Sequence, residues 1–132
     1  MKCMLDTDSC IFIIRQKPHA IRERFEACSV GDIGISMITL AELEYGAEKS
    51  SQPKKNREAL EQFIGALNIV PFDRQATFHY GQIRVSLEKK GQRIGGMDLL
   101  IAAHARSLGV TLVTNNEREF KRVPGLHVEN WM

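Results

Sequence analysis

Four acidic side chains stand next to segments of the chain that read as buried. Asp6 ends the apolar run Cys3-Met4-Leu5, and Asp98 opens a long apolar stretch. Glu42 follows a second short apolar run and Glu119 follows a third. Carboxylates that meet at one place raise one another's pKa, and a divalent cation relieves that repulsion. Their oxygens suit Mg²⁺ or Mn²⁺, which keep water ligands free for a substrate phosphate. The acids therefore predict a metal site that acts on phosphate.

Short apolar segments alternate with helical patterns along the 132 residues. This alternation predicts an α/β sandwich around a mainly parallel sheet, in which sites lie beyond the carboxyl ends of the strands. Capping residues indicate helix starts at Asp8 or Ser9, at Ser36 and at Asp73. The predicted strands cover residues 3–5, 33–35, 69–70 and 110–113, with 126–128 as a last edge strand.

The most apolar helix is predicted from Asp98 to about Leu108, directly after Gly95 and Gly96. Because it is apolar on every side, we expect it to be buried on every side. His104 is then expected to be a hydrogen-bonded core residue. Asp98 has a structural alternative as the N-cap of this helix, a role that stabilises by about 1 kcal/mol.

The other acids also have structural alternatives. A turn in which Asp6 accepts backbone N–H bonds explains that residue equally well. Asn116 and Glu119 have the spacing of a capping box. Glu42 and Glu44 are about 200° apart on a helix, so a given site faces one of them, and periodicity does not choose which.

Composition limits the class of protein. The net charge of +2 and a pI near 8.5 permit an anionic partner without requiring one. Cys3, Cys10 and Cys28 lack CxxC spacing, which argues against a disulfide framework and against a zinc site. No signal peptide and no membrane span are expected from the pattern of apolar residues. We expect one cytoplasmic domain over residues 1–132.

Four motifs occur in an order that is typical of a known family. They are MLDT at 4–7, ITLAELEYG at 38–46, IGGMDLLIAAHA at 94–105 and LVTNNEREF at 112–120. Together they resemble the PIN-domain ribonucleases, and more narrowly the VapC toxins of VapBC toxin–antitoxin pairs. The ending at 123–131 is similar as well, so the resemblance covers essentially the whole chain. It implies a PIN-like three-layer sandwich, with a central, mainly parallel sheet of four or five short strands flanked by helices.

The resemblance also assigns the acids. It implies that Asp6, Glu42 and Asp98 hold the metal and carry catalysis, with Glu42 rather than Glu44 in the site. The implied cofactor is Mg²⁺, with Mn²⁺ as a substitute.

A fourth catalytic position is implied in the 114–119 loop, where an aspartate is frequent in the family. This chain offers Asn116 and Glu119 there, and Glu119 is expected to complete the catalytic set. Asp8 is a second departure, because the subfamily more often has asparagine at that position; its expected role is to cap the first helix. The supporting polar residues are expected to be Thr7, Thr114 and Asn116.

The activity implied by the resemblance is Mg²⁺-dependent hydrolysis of phosphodiester bonds in structured RNA, as the toxin of a type II toxin–antitoxin system that inhibits translation. The implied substrate is tRNA or a ribosomal RNA loop. The implied partners are a VapB-like antitoxin, which alone contacts DNA, and a second copy of the chain. Candidates for contact with RNA phosphates, each with a solvated helix face as its alternative, are Arg15, Lys17, Lys54, Lys55, Lys89, Lys90 and Arg93.

The sequence also suggests two alternative functions. Asp6 and Asp8 have the DxD spacing that opens haloacid dehalogenase-type phosphatases, where Asp6 would be the nucleophile and Asp8 the acid and base. That fold also needs a downstream lysine and a further acidic pair, which the sequence does not convincingly supply. The second alternative is a non-catalytic RNA-binding PIN module.

Overall fold

The structure, a computed structural model, describes residues 1–29 and 31–132. Its centre is a sheet of five strands in the order β3-β2-β1-β4-β5, and every neighbouring pair is parallel. The predicted parallel α/β sheet is confirmed. The strands are β1 (Cys3–Leu5), β2 (Ile33–Ser36), β3 (Asn68–Val70), β4 (Thr111–Val113) and β5 (Val128–Glu129).

Helices cover both faces of the sheet, which gives the three layers that the sequence predicts. The residues of β1 show why: Cys3 and Leu5 pack into one apolar core, while Met4 between them packs into the other. Strands that are buried on both faces need apolar residues at every position. The helices are α1 (Thr7–Arg15), α2 (His19–Glu26), α3 (Met37–Lys49), α4 (Pro53–Ile64), α5 (Arg74–Lys89), α6 (Gly96–Leu108) and α7 (Glu117–Phe120). None of the described helices has the length and apolarity needed to cross a membrane.

The middle of helix α6 is buried, as its composition predicts, but the expectation of burial on every side fails near its ends, where Met97 and Leu108 are exposed. Ile101, Ala102 and Ala103 are fully buried in the core that α5 and α6 share. His104 is also buried, and its Nδ1 is hydrogen-bonded to the hydroxyl of Ser36 at 2.7 Å. The same hydroxyl caps α3 by accepting from the Ile38 N–H. The prediction of a hydrogen-bonded core histidine is therefore confirmed, and this bond ties α6 to the start of α3.

Two predicted helix caps are wrong, although Ser36 and Asp73 cap α3 and α5 as expected. Asp6, rather than Asp8 or Ser9, caps α1, since its backbone is still extended and its carboxylate accepts from the Ser9 N–H at 2.9 Å. Asp98 lies in the first turn of α6, whose N-cap is Gly95. Since Asp98 makes no cap bond, its capping alternative is removed.

Gly34 in β2 is a point where the sheet cannot accept a side chain. A Cβ there would lie 2.9 Å from the Asn68 carbonyl oxygen of β3 and would overlap Met1 Sδ. We expect Gly34→Ala to lower the free energy of unfolding by about 1–3 kcal/mol, because a strand has to shift. Urea denaturation measures this effect.

Gly81 provides the matched control, since a Cβ on this α5 residue meets no atom within 4 Å. Gly81→Ala is expected to stabilise the helix by up to about 1 kcal/mol. Equal stability of the two alanine variants would contradict the account of Gly34.

Candidate active site

A cleft of about 240 Å³ opens at the carboxyl ends of β1 and β4. This is the edge where a parallel sheet is expected to carry its site. Four of its lining side chains are acids, and the cleft holds the predicted metal-binding trio together with two of the predicted supporting residues. The lining residues are Asp6, Thr7, Asp8, Glu42, Asp98, Asn116 and Phe120.

Asp6 is the most buried of these acids, with 3% of its surface exposed. Its backbone N–H donates to the Val113 carbonyl, so its place is fixed by the β1–β4 pair. Burial raises the pKa of Asp6, while hydrogen bonds from the Thr114 and Ser9 side chains lower it. The Ser9 hydroxyl also donates to the Val113 carbonyl at 3.1 Å, and no local sequence pattern predicts this contact between α1 and β4.

Glu42 reaches the cleft from α3. The Thr7 hydroxyl of α1 donates to Glu42 Oε1 at 2.5 Å, so two helices that are distant in sequence are joined here. Glu44 does not line the cleft. The structure thus makes the choice between Glu42 and Glu44 that periodicity left open.

Four neighbouring carboxylates act on Asp98. Burial raises its pKa most, followed by the charges of Glu119, Asp6, Glu42 and Asp8, and the resulting pKa is about 7. An ordinary exposed aspartate titrates near 3.8. The acids are therefore near enough to oppose one another's ionisation, which is the electrostatic condition that a bound cation relieves.

Glu119 does not line the cleft but holds the loop beside it. Its Oε1 accepts from the Gly95 N–H at 2.9 Å, and its Oε2 accepts from the Asn116 side-chain amide at 2.7 Å. Asn116 makes no side-chain cap bond to α7, so the capping box expected at 116–119 does not form. Glu119 instead satisfies a backbone donor at the start of α6. The Thr114 hydroxyl supports the same loop by accepting from the Asn116 N–H.

The donor set suits a hydrated magnesium ion. In residues 1–29 and 31–132, no three Asp, Glu, His or Cys side chains are close enough to bind one ion together. Mg²⁺ is commonly held by one or two carboxylates while it keeps several waters, and the cleft offers carboxylate, hydroxyl and amide oxygens for such an arrangement. The side chains therefore fit an ion bound partly through water.

The predicted RNA-binding residues are all exposed, and none of them lines the acidic cleft. Arg15 lines an apolar groove that shares Glu42 with this cleft. Arg93 lines a second cleft beside the start of α6. Lys17 follows α1, Lys54 and Lys55 lie on α4, and Lys89 and Lys90 end α5.

We expect Asp98→Asn to stabilise the protein when no cation is present. A carboxyl whose pKa is raised from 3.8 to about 7 on folding costs stability as pH rises through that range. Asparagine removes this cost, so at about pH 8 the variant should gain about 1–2 kcal/mol, after allowance for solvent screening.

The measurement is urea denaturation in the presence of a chelator at about pH 5 and about pH 8. The advantage of the variant should be larger at the higher pH. A stability difference that does not change with pH would contradict the assigned electrostatics.

Comparison with known proteins agrees with the fold. The PIN domain family model matches residues 3–126. The chain is 50% identical over 131 residues to the tRNA(fMet)-specific endonuclease VapC of Salmonella typhimurium, covering 99% of this chain and 98% of that one. It is 46% identical over 129 residues to Ribonuclease VapC2 of Rickettsia felis, covering 97% and 96%.

Solved structures give the same result. DNA-bound VapBC from Salmonella typhimurium matches with a TM-score of 0.95 at 50% identity, over 100% of this chain and 99% of that one. VapBC2 from Rickettsia felis, bound to a promoter DNA fragment, matches with a TM-score of 0.94 at 44% identity, over 100% of both chains.

The chain belongs to the PIN-domain family, and within it to the VapC ribonuclease toxins. It is an RNA-cleaving hydrolase of a toxin–antitoxin system, as the motifs predict. This membership rules out the haloacid dehalogenase-type phosphatase, whose fold is different. It also disfavours the non-catalytic RNA-binding module, since these relatives are named as nucleases.

Proposed function

We propose that this protein is an Mg²⁺-dependent endoribonuclease that cuts tRNA, initiator tRNA first among them, and so inhibits translation in the cytoplasm. The observation that carries the proposal is the acidic cleft, in which Asp6, Glu42 and Asp98 converge. The substrate is proposed from the tRNA(fMet)-specific relative, which is 50% identical over 99% of this chain. The chain acts as one nuclease domain over residues 1–132.

The cation would be held directly by one or two of Asp6, Glu42 and Asp98 and through water by the rest of these acids, with Mn²⁺ as a substitute. When bound, it would supply a water of lowered pKa and offset charge that develops on the phosphate. Thr7 keeps Glu42 turned toward the cleft through its 2.5 Å hydrogen bond. Burial and the β1–β4 pair keep Asp6 still.

The loop between α5 and α6 admits the phosphate. A Cβ on Gly95 would lie 3.7 Å from Asp98 Oδ2 and 3.9 Å from Glu119 Oε1, so its absence leaves space beside the acids. Glu119 fixes this loop through the Gly95 N–H and is the fourth residue of the proposed catalytic set, acting by position. Asn116 and Thr114 support Glu119. The proposed products carry a 3′-hydroxyl and a 5′-phosphate.

Transfer RNA would be held by exposed cations around the cleft. Arg15 lines the apolar groove. The other candidates are Lys17 after α1, Lys54 and Lys55 in α4, Lys89 at the end of α5, and Lys90 and Arg93 in the loop before α6. Each contact with a phosphate is sequence-independent and weakens with salt. The experiment that tests the proposed function is cleavage of purified initiator tRNA by the free protein in Mg²⁺ and in excess chelator.

We further propose that a VapB-like antitoxin is a partner of this protein. In the complex the antitoxin would contact DNA, and this chain would not. The matching structures are VapBC complexes, two of them with DNA. An apolar groove of about 210 Å³ between α1, α3 and α4 shares Glu42 with the acidic cleft, so a segment seated there would also cover the cleft. Its walls include Ile11, Ile14, Leu43, Ala59 and Leu60.

Ala59→Arg is expected to fill this groove and weaken antitoxin binding by about a hundredfold, since it places a charge in an apolar seat. RNA cleavage by the free protein should persist, because Ala59 is not in the acidic cleft. Titration calorimetry with the purified antitoxin measures the loss of affinity. Unchanged affinity would exclude the groove as the antitoxin-binding site.

A second copy of the chain is the other proposed partner. Phe78 and Val85 are 62% and 51% exposed and lie two turns apart on α5, which gives the helix an apolar outer face. Sedimentation equilibrium of the free protein tests whether it is a dimer.

A further inference from the structure

A second cleft, of about 170 Å³, lies beside the start of α6. Gly96 and Leu99 line it, and they lie on the same face of the helix because they are three residues apart. Asp98 is about 200° away from Gly96 around the helix axis and lines the acidic cleft instead. The two clefts therefore lie on opposite sides of the N-terminus of α6.

The walls of the second cleft combine an aromatic ring with a guanidinium group. Arg84 donates from Nη1 to the Tyr80 hydroxyl at 2.8 Å and from Nε to Glu88 at 3.1 Å. Its guanidinium carbon lies 5.9 Å from the centroid of the Tyr80 ring. Leu87 and Leu99, both buried, form an apolar floor. Aromatic rings and guanidinium planes are the groups on which proteins stack nucleobases.

A cation is available at the mouth of this cleft. Arg93 is exposed, lines the cleft and forms no ion pair with any residue in the described part of the chain. Arg122 donates to the Arg93 carbonyl at 3.1 Å, which holds the backbone of this loop. Glu88, the acid of the cleft, is already paired with Arg84. The cleft thus offers one free positive charge beside a stacking surface.

The route between the two clefts is open. A Cβ on Gly96 would meet no atom within 4 Å, so a polynucleotide backbone can approach the start of α6 closely. The free N–H groups at a helix N-terminus also favour a phosphate. A strand that crosses this point would place one nucleotide at the acidic cleft and its neighbour at the second cleft.

We propose that the second cleft is a nucleoside subsite, in which Tyr80 and Arg84 stack the base of a nucleotide adjacent to the scissile phosphate and Arg93 contacts its phosphate. The proposal rests on the proposed RNA cleavage and adds to it a determinant of where the RNA is cut.

Tyr80 also packs against the core, so its variants must separate stacking from packing. Tyr80→Leu keeps an apolar side chain but removes the ring, whereas Tyr80→Phe keeps the ring. Tyr45→Leu is the matched control, because Tyr45 is the other tyrosine of the chain and is 66% exposed on α3.

The first measurement is binding of initiator tRNA by fluorescence anisotropy, with each variant placed in an Asp98→Asn background to prevent cleavage. Tyr80→Leu should weaken binding about tenfold, the loss of one stacked base. Tyr80→Phe and Tyr45→Leu should bind as their parent does. Unchanged binding by Tyr80→Leu, or an equal loss in Tyr80→Phe, would overturn the subsite.

The second measurement uses RNA hairpins that lack the base on either side of the cleaved bond. One of these abasic substrates should lower kcat/KM of the wild-type enzyme about tenfold. The same substrate should not lower kcat/KM of Tyr80→Leu any further, because both changes remove the same contact. Losses that add would overturn the subsite while leaving the nuclease in place. Failure of the wild-type enzyme to cleave any intact RNA would instead overturn the proposed function, and this inference with it.

Discussion

Replacing Asp98 with asparagine is expected to lower kcat for RNA cleavage by at least about a hundredfold, while the protein stays folded. Asparagine has the same shape but carries no charge, so its amide oxygen binds a divalent cation much more weakly than a carboxylate does. Asp98 makes no cap bond to α6, so the helix loses no contact that stabilises it. Single-turnover cleavage of end-labelled initiator tRNA measures the rate, and circular dichroism checks the fold.

The matched control is Asp32→Asn. Asp32 precedes β2, at the amino ends of the strands, and its carboxylate lies 3.9 Å from the amine of the exposed Lys2. This variant should cleave as the wild-type protein does. If Asp98→Asn retains the wild-type rate, the acidic cleft is not the catalytic site.

Glu42→Gln is expected to show the second large loss, again about a hundredfold or more in kcat. Glu42 lines the cleft and accepts a hydrogen bond from Thr7, whereas Glu44, two residues along the same helix, does not line it. Glu44→Gln should therefore leave cleavage unchanged. Since both side chains are half-buried, the pair controls for the general effect of removing a charge from α3.

The cleavage assay decides between the two glutamates directly. Equal losses of cleavage rate in the two variants would mean that catalysis depends on the total charge of α3 and not on the position of Glu42. A larger loss in Glu44→Gln would reverse the assignment. Expression of each variant in bacteria without antitoxin supplies an independent readout, because growth arrest should follow cleavage.

The sheet could be predicted from the sequence because its signals are local. Strands buried on both faces require unbroken apolar runs such as Cys3-Met4-Leu5, and Ser36 and Asp73 cap helices in the ordinary way. The cap of α1 could not be located, because β1 passes into the helix without a loop and Asp6 alone keeps an extended backbone. Asp6, Asp8 and Ser9 are all residue types that cap helices, so the sequence does not distinguish them.

The start of α6 was misplaced for a reason that lies outside the helix. Gly95 is its N-cap, and the acceptor for the Gly95 N–H is Glu119, which is 24 residues away. A capping box predicted within one segment cannot show that its glutamate bonds to another. Once α6 begins at Gly96, Asp98 moves into the first turn and faces the other acids.

The site was predicted as a set of acids, but its geometry depends on contacts across the sheet. The choice of Glu42 is visible in its bond to Thr7, which spans 35 residues. Tyr80 packs against the core that contains Ile83 and Leu87, and that packing is only part of its surroundings. The cleft that Tyr80 lines also takes Arg93 and Ile94 from the loop before α6, and no periodicity within α5 predicts this.

The acidic cleft is proposed to cut RNA with a divalent cation. The most direct test of this proposal is incubation of the purified, antitoxin-free protein with initiator tRNA in Mg²⁺, in excess chelator, and after Mg²⁺ is restored. We expect cleavage at a defined position in Mg²⁺, with 3′-hydroxyl and 5′-phosphate ends, none in chelator, and full recovery on restoration. Cleavage that continues in chelator, and equally in Asp98→Asn, would contradict the account.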